Sequence, residues 1–174
     1  MKNTIIKYGL IAGGISATGQ LITSLYLKYS GLGSSSFDNS FYLGYTLITL
    51  AMSVIYFAIR AFRDGENEGK VTFGKGLLIG LGITAIACVC YSLMWTFVYY
   101  TLLPNFMDDY AAFSVAQLKA EGANAAKLLE NQAQIAEFKQ MYQSPFGVFA
   151  ITLIEPLPVG LLVSLVSAFI LKRK

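Results

Sequence analysis

The chain has 174 residues, of which 55% are hydrophobic and only 13% are charged, with a net charge of +3. A soluble domain carries about twice that share of charged residues, so the composition excludes an ordinary soluble domain and indicates a membrane protein. Histidine is absent, which removes the commonest general base, the commonest metal ligand and every nucleophile that is paired with histidine. We therefore expect a protein that is not an enzyme and that holds no cofactor or metal.

Four apolar stretches are long enough to cross a bilayer, which takes about 20 largely apolar residues in a helix. The first follows two lysines, as a secretory signal does, but it is longer than a signal's apolar region and lacks a small-x-small cleavage pattern. We therefore expect it to stay as a membrane span. The predicted fold is all-α, an integral membrane four-helix bundle in which residues 1–174 form a single transmembrane domain. Its predicted spans are 6–28, 41–62, 75–101 and 146–171.

The placement of lysine and arginine predicts the orientation, because short loops rich in these residues stay in the cytoplasm. Nine of the thirteen lie at the amino terminus, in the loop after the second span or in the tail. Both termini are therefore expected in the cytoplasm, and the net charge indicates topology, with no nucleic-acid partner. In that loop and at its edges, Arg60, Arg63 and Lys75 are expected to contact anionic lipid headgroups.

Between the third and fourth spans, residues 104–143 are too long for a turn and carry apolar residues at helical spacing. Gly122 divides this pattern, which predicts an extracytoplasmic amphipathic helical hairpin or a bent helix over the outer ends of the spans. It either shields the bundle as a cap, or docks a partner or covers a ligand. Asp108 and Asp109 fit the start of a helix better than a cation site. By contrast, the Gly- and Ser-rich residues 30–40 are predicted to be a flexible connector.

Small residues recur at intervals of four in the first and third spans, where they let neighbouring helices approach closely. We expect these two faces to meet, either within one chain or across a homo-oligomer. A ligand groove or a dimer seam is the functional alternative to simple packing. The two sets are Gly9, Gly13 and Ala17 in the first span, and Gly76, Gly80 and Thr84 in the third.

Glu155 lies within the fourth apolar stretch and is followed by Pro156 and Pro158. An ionisable residue within a span is costly and is a functional candidate by default. Both prolines lack a backbone donor and disfavour helical geometry in the residue before them, so we expect the span to break here, with a new half-helix near Pro158. Either the carboxylate caps this broken helix, or it forms an ion or proton site such as transporters use. Gln20 is a possible polar neighbour.

Several landmarks together resemble a bacterial family of four-span membrane proteins catalogued as domain of unknown function 4199. They are Tyr8-Gly9 at the start of the first span, the loop from Arg63 through Gly69 to Phe73, and Pro104-Asn105-Phe106 after the third span. The resemblance covers nearly the whole chain. It implies a four-span architecture and a multi-pass location in the bacterial inner membrane, and it implies no chemistry.

The sequence therefore favours a non-enzymatic accessory, scaffold or interaction protein that lies in the lipid bilayer. Its partners would be further copies of itself or another membrane protein. The alternative is a small ion- or proton-coupled carrier or channel that uses Glu155 in a homo-oligomer.

Overall fold

The computed structural model describes residues 1–30 and 34–173, which are arranged as seven α-helices and one π-helical turn. Within those residues no strand forms, and an isolated antiparallel bridge joins Val71 to Arg173. The π-helical turn Phe62–Glu66 extends the second helix. The helices are α1 (Lys2–Ser30), α2 (Ser34–Ala61), α3 (Phe73–Thr101), α4 (Phe106–Ala120), α5 (Ala125–Met141), α6 (Pro145–Ile154) and α7 (Leu157–Leu171).

Four helical stretches are long and apolar enough to cross a membrane, and they form the predicted four-helix membrane bundle. The first and third are α1 and α3, the second runs from Ser36 to Glu66, and α6 and α7 together make the fourth. Large apolar side chains are exposed along all four stretches, as expected for surfaces that face lipid.

The prediction of a flexible connector over residues 30–40 is wrong for the part that the structure describes, because α2 begins at Ser34. Phe37 explains the difference. Its side chain is only 2% exposed, and its ring lies 4.7 Å from that of Phe113 and 6.3 Å from that of Phe106, between centroids. These contacts with a distant part of the chain hold a helical turn that the local Gly and Ser content disfavours.

Helix α3 is central and packs against α1, α2, α6 and α7. Its contact with α1 uses the small residues of α1, because Gly9 lies against Ile86 and Gly13 against Cys90. Ala17 is half-buried farther along α1.

The small residues of α3 pack against α7, so the prediction that they meet the small face of α1 is wrong. Gly76 lies against Ala168, and Gly80 lies against Ser164. Opposite them, Gly160 of α7 makes room for the side chain of Thr84. Small residues on both sides let α3 and α7 approach closely, whereas the α1 contact needs them on one side only. The small residues of α3 therefore pack against those of α7, which are Gly160, Ser164 and Ala168.

Helices α4 and α5 form a hairpin that covers one end of the bundle, so the predicted helical segment consists of two separate helices. Gly122 divides them in a left-handed backbone conformation, with φ of +74°. Asn124 caps α5 by accepting a hydrogen bond from the Lys127 backbone amide at 2.9 Å, and the Ser114 hydroxyl donates to the Asn131 side-chain oxygen at 3.1 Å. Apolar and aromatic residues of α4 join a cluster with Trp95 and the ends of the neighbouring spans.

Met1 and Arg173 both meet the α2–α3 connection at the opposite end of the bundle. The amino-terminal nitrogen of Met1 lies 2.6 Å from one carboxylate oxygen of Glu66. The other oxygen of Glu66 accepts a hydrogen bond from the Thr4 hydroxyl at 2.5 Å. The bridge between Val71 and Arg173 brings the tail to the same connection. The bundle therefore has one end with both termini and another end covered by the hairpin.

Candidate functional site

A cavity of about 370 Å³ lies among α1, α2, α3 and α6 beneath the hairpin. Ligand sites in proteins are usually mostly apolar pockets of this order of size that contain a few convergent polar groups. The cavity fits that description. Its polar side chains include those of Gln20, Tyr45, Tyr91, Tyr142, Thr152 and Glu155.

Glu155 reaches the cavity from the break between α6 and α7. Its backbone amide donates to the Thr152 carbonyl at 3.1 Å, in a tight turn of the i to i+3 type. The expectation that Glu155 leaves helical geometry is wrong, since its φ of −62° and ψ of −52° are helical. The tight turn gives the Thr152 carbonyl a donor that Pro156 cannot supply, so the interruption stays local.

The start of α7 is shaped by the prolines. Pro156 is buried at the N-cap position, α7 begins at Leu157, and Pro158 is exposed in its first turn. No side-chain cap from the N-cap residue closes this helix start in the part of the chain that the structure describes. Glu155 is half-buried and lines the cavity. Glu155 therefore lies both at the interruption of the fourth span and at the cavity.

Two polar side chains accompany Glu155 in the buried part of the cavity. Tyr91 lines the cavity together with Glu155 and is only 4% exposed. Gln20, which the sequence indicated as a possible neighbour, lines the same cavity from α1. Its side-chain amide contacts the Ser24 hydroxyl at 3.5 Å. The structure therefore brings together one carboxylate, one phenol and one amide that are far apart in the sequence.

Tyr91 was not among the residues that the sequence indicated, although a signal for it exists. A tyrosine inside an apolar span needs a polar partner for its hydroxyl group when it is buried. The one acid within a predicted span is the obvious candidate for such a partner. The sequence does not identify Tyr45 as a cavity residue, because a tyrosine near the start of a span is also typical of the membrane boundary.

Aromatic rings form the walls and the roof of the cavity. Trp95 packs edge-to-face against Phe106 of the hairpin, with 4.8 Å between ring centroids, and Tyr142 packs against Tyr99 at 5.2 Å. Burial raises the pKa of the Tyr142 phenol, which therefore stays protonated at neutral pH. Tyr110 and Phe138 also line the cavity from α4 and α5, so the hairpin is part of the site.

A single carboxyl group lines the described part of the cavity. Glu155 is the one acidic residue among the described residues that line it, and neither lysine nor arginine is among them. The carboxylate thus faces uncharged polar groups and aromatic rings, and no basic side chain of the lining neutralises it.

The predicted lipid-contacting residues lie near the end that carries both termini. Arg63 is paired with Asp64 at 2.6 Å, and Arg60 approaches the same carboxylate at 3.7 Å. Lys75 is exposed in the first turn of α3. Asp64 therefore partly neutralises the two arginines, whereas Lys75 has no ion pair with a described residue.

In the acidic pair of the hairpin, Asp108 is exposed and Asp109 is half-buried. Asp108 forms an ion pair with Lys139 at 2.5 Å, which links α4 to α5. Among the described residues, no group of three or more His, Cys, Asp or Glu side chains is placed to hold a metal ion.

Four apolar spans, a helical hairpin over one end and a cavity between them define the class of this protein, a four-span α-helical membrane protein. The chain belongs to the family described as protein of unknown function (DUF4199), whose model matches residues 7–173. The resemblance seen in the sequence is thereby confirmed. No curated protein and no solved structure matches the chain.

Proposed function

We propose that this protein is a non-enzymatic accessory or interaction protein of the membrane, which works by binding a small ligand in the cavity at Glu155. The observation that carries this proposal is the cavity itself, which joins a carboxylate, a phenol and an amide to an aromatic enclosure. Such a combination is typical of ligand sites, in which a few polar groups orient a molecule that apolar walls enclose.

Binding without catalysis is favoured by the kinds of group that line the cavity. General acid–base catalysis works best with groups whose pKa lies near the working pH, most often histidine or a pair of carboxyl groups. This chain has no histidine, and Glu155 is accompanied in the lining by one amide, by hydroxyl groups and by phenols, whose ordinary pKa lies far from neutrality. A single carboxylate in such company is better suited to holding a ligand than to transforming one.

The proposed location is the bacterial cytoplasmic membrane, with both termini in the cytoplasm and the hairpin on the outer side. The distribution of charge supports this orientation. Nine of the thirteen lysine and arginine residues belong to the two termini and the α2–α3 connection, which lie together at one end of the bundle. Short basic segments stay on the cytoplasmic side during insertion.

The proposed partners are the lipid bilayer and either further copies of this chain or another membrane protein. The exposed apolar side chains along the four spans support lipid contact. Native mass spectrometry of the protein released from detergent distinguishes a monomer from a homo-oligomer. We propose no nucleic-acid partner, since the basic residues follow the topology of the chain.

A small ion- or proton-coupled carrier is the second candidate function. The interruption of the fourth span at Glu155 and Pro156 favours it, because transporters place broken helices and intramembrane acids at their ion sites. In that case the carboxylate would exchange a proton or a cation between the two sides of the membrane, within a homo-oligomer.

Flux through reconstituted vesicles tests the first proposal against the second. The protein is placed in liposomes that contain a pH-sensitive dye, and a gradient of protons or of sodium or potassium ions is applied. An accessory binding protein gives no flux above that of empty vesicles. Flux that disappears in Glu155→Gln and persists in Glu137→Gln overturns the accessory proposal in favour of the carrier. Glu137 is a matched control because it is an exposed glutamate on α5, outside the cavity.

A further inference from the structure

The Glu155 cavity combines a carboxyl group that has no basic partner in the described lining with walls of aromatic rings. We propose that it binds a small organic cation, a substituted ammonium group attached to an apolar body, with the ammonium group at Glu155. This inference rests on the proposed function and names the chemical class of its ligand.

Charge complementarity is the first reason. A half-buried carboxylate without a basic partner is unfavourable, because desolvation removes stabilisation that no opposite charge returns. Lysine and arginine are missing from the described lining of this cavity. A cationic ligand would provide the missing charge.

The aromatic lining is the second reason, and it distinguishes an organic cation from a metal ion. The face of a tyrosine or tryptophan ring attracts an ammonium group through its quadrupole, and Tyr45, Tyr91 and Trp95 line the cavity with Glu155. Calcium and magnesium ions instead need about six oxygen ligands, usually from several acids. The described part of the chain has no such acidic group, and a metal ion would leave the aromatic space unfilled.

The depth of the cavity sets the orientation of the ligand. Glu155 lies ten residues beyond Pro145, the first residue of α6, which corresponds to about 15 Å along a helix. The hairpin residues Phe106 and Tyr110 line the cavity near the level at which α6 begins. An elongated ligand would therefore place its ammonium group at Glu155 and its apolar body towards the hairpin.

Trp95 is the single tryptophan of the chain and lines the cavity, so its fluorescence reports binding in the full-length protein. The probe is benzyltrimethylammonium, titrated into the protein in dodecyl maltoside micelles, which contain no ammonium group. Neopentylbenzene, its uncharged carbon isostere, and benzoate are titrated in parallel. Glu155→Gln removes the charge, Glu155→Asp keeps it, and Glu137→Gln removes a charge outside the cavity.

We expect a saturable response of Trp95 to benzyltrimethylammonium. The dissociation constant should rise about tenfold or more in Glu155→Gln, since a charged contact is lost. It should stay within a few-fold in Glu155→Asp and unchanged in Glu137→Gln. The uncharged isostere should bind about tenfold more weakly than the cation to the original protein, and this difference should shrink in Glu155→Gln, where only the attraction of the aromatic rings for the cation remains.

Other outcomes separate the failure of this inference from the failure of the proposed function. Equal binding of the cation and its isostere to the original protein, or a saturable Trp95 response to sodium chloride at the same concentrations, overturns the organic-cation inference and leaves a binding cavity. A Trp95 signal that responds saturably to none of the probes overturns both. Weaker binding of the probe after phosphatidylethanolamine is added identifies a lipid headgroup as the source of the ammonium group. Unchanged binding identifies a free molecule.

Discussion

Gly80 of α3 and Gly160 of α7 each lack a side chain where the other helix presents one. A methyl group on Gly80 would lie 2.6 Å from the Ser164 hydroxyl oxygen and 3.1 Å from the Ser164 Cα atom. The Ser164 hydroxyl also lies 3.4 Å from that of Thr84. Since part of the obstruction is backbone, rotation of a side chain cannot relieve it. These two glycines therefore set the distance between the helices.

Gly80→Ala should lower the stability of the protein, because the added methyl group forces α3 and α7 apart. Overpacking of this kind costs about 1–3 kcal/mol. The midpoint of thermal unfolding in dodecyl maltoside measures the effect. Gly14→Ala is the matched control, since a methyl group there meets no atom within 4 Å. Equal midpoints for the two variants would contradict the close contact between α3 and α7.

At the scale of elements, the hairpin is a structural unit that also completes the cavity. The ion pair between Asp108 and Lys139 and the hydrogen bond between Ser114 and Asn131 join α4 to α5. The turn between them depends on Gly122, whose φ of +74° is unfavourable for residues with a side chain. Because the hairpin supplies aromatic rings to the cavity roof, its order and the shape of the site are connected.

Gly122→Ala should loosen the hairpin while the four spans remain intact. A left-handed backbone conformation costs a residue with a Cβ atom about 1–2 kcal/mol. Hydrogen–deuterium exchange with mass spectrometry should show faster exchange in residues 106–120 and 125–141. Gly74→Ala serves as the control, because Gly74 has open space around it and no positive φ. Unchanged exchange in the hairpin would show that the turn does not depend on glycine.

In the fourth span, the effect of proline on helices predicts the interruption but not its backbone geometry. The two prolines correctly indicate an interruption, and α6 ends at Ile154 while α7 begins at Leu157. The expected departure of Glu155 from helical geometry does not occur. The Glu155 backbone amide donates to the Thr152 carbonyl, which replaces the hydrogen bond that Pro156 cannot donate. The two prolines predict which helical hydrogen bonds are lost, but they do not predict which other backbone donors replace them.

At the scale of the whole molecule, the two ends of the bundle differ in composition. One end has both termini, the π-helical turn and most of the basic residues, joined by the contact between Met1 and Glu66 and by the bridge between Val71 and Arg173. The other end has the hairpin and an aromatic cluster around Trp95. This difference is the basis of the proposed orientation.

Cysteine labelling in intact cells tests that orientation. In a chain carrying Cys88→Ser and Cys90→Ser, a membrane-impermeant maleimide should label Glu130→Cys in the hairpin without permeabilisation. It should label Lys2→Cys and Asn67→Cys only after the membrane has been opened. Lys2 and Glu130 are exposed and Asn67 is half-buried. Access of the maleimide to each position therefore depends on the side of the membrane on which it lies. Labelling of Lys2→Cys in intact cells would reverse the proposed topology.

The sequence by itself determined the class of the protein, the four spans and the presence of a helical segment after the third span. Apolar length, the distribution of lysine and arginine, and helical spacing are local properties that need no knowledge of the fold. It also singled out Glu155, because an acid inside an apolar stretch is conspicuous wherever the neighbouring helices lie.

Only the tertiary structure decided which helices meet and what surrounds Glu155. The spacing of Gly76, Gly80 and Thr84 indicates a contact face but does not identify its partner, which is α7. The cavity likewise combines Gln20 of α1, Tyr91 of α3 and Glu155 of the break between α6 and α7 with rings from the hairpin. Residues so far apart in the chain share no local pattern. Their proximity follows from the packing of the whole bundle. The apolar faces of the helices are chemically alike, so the fit of their shapes determines which faces pack together.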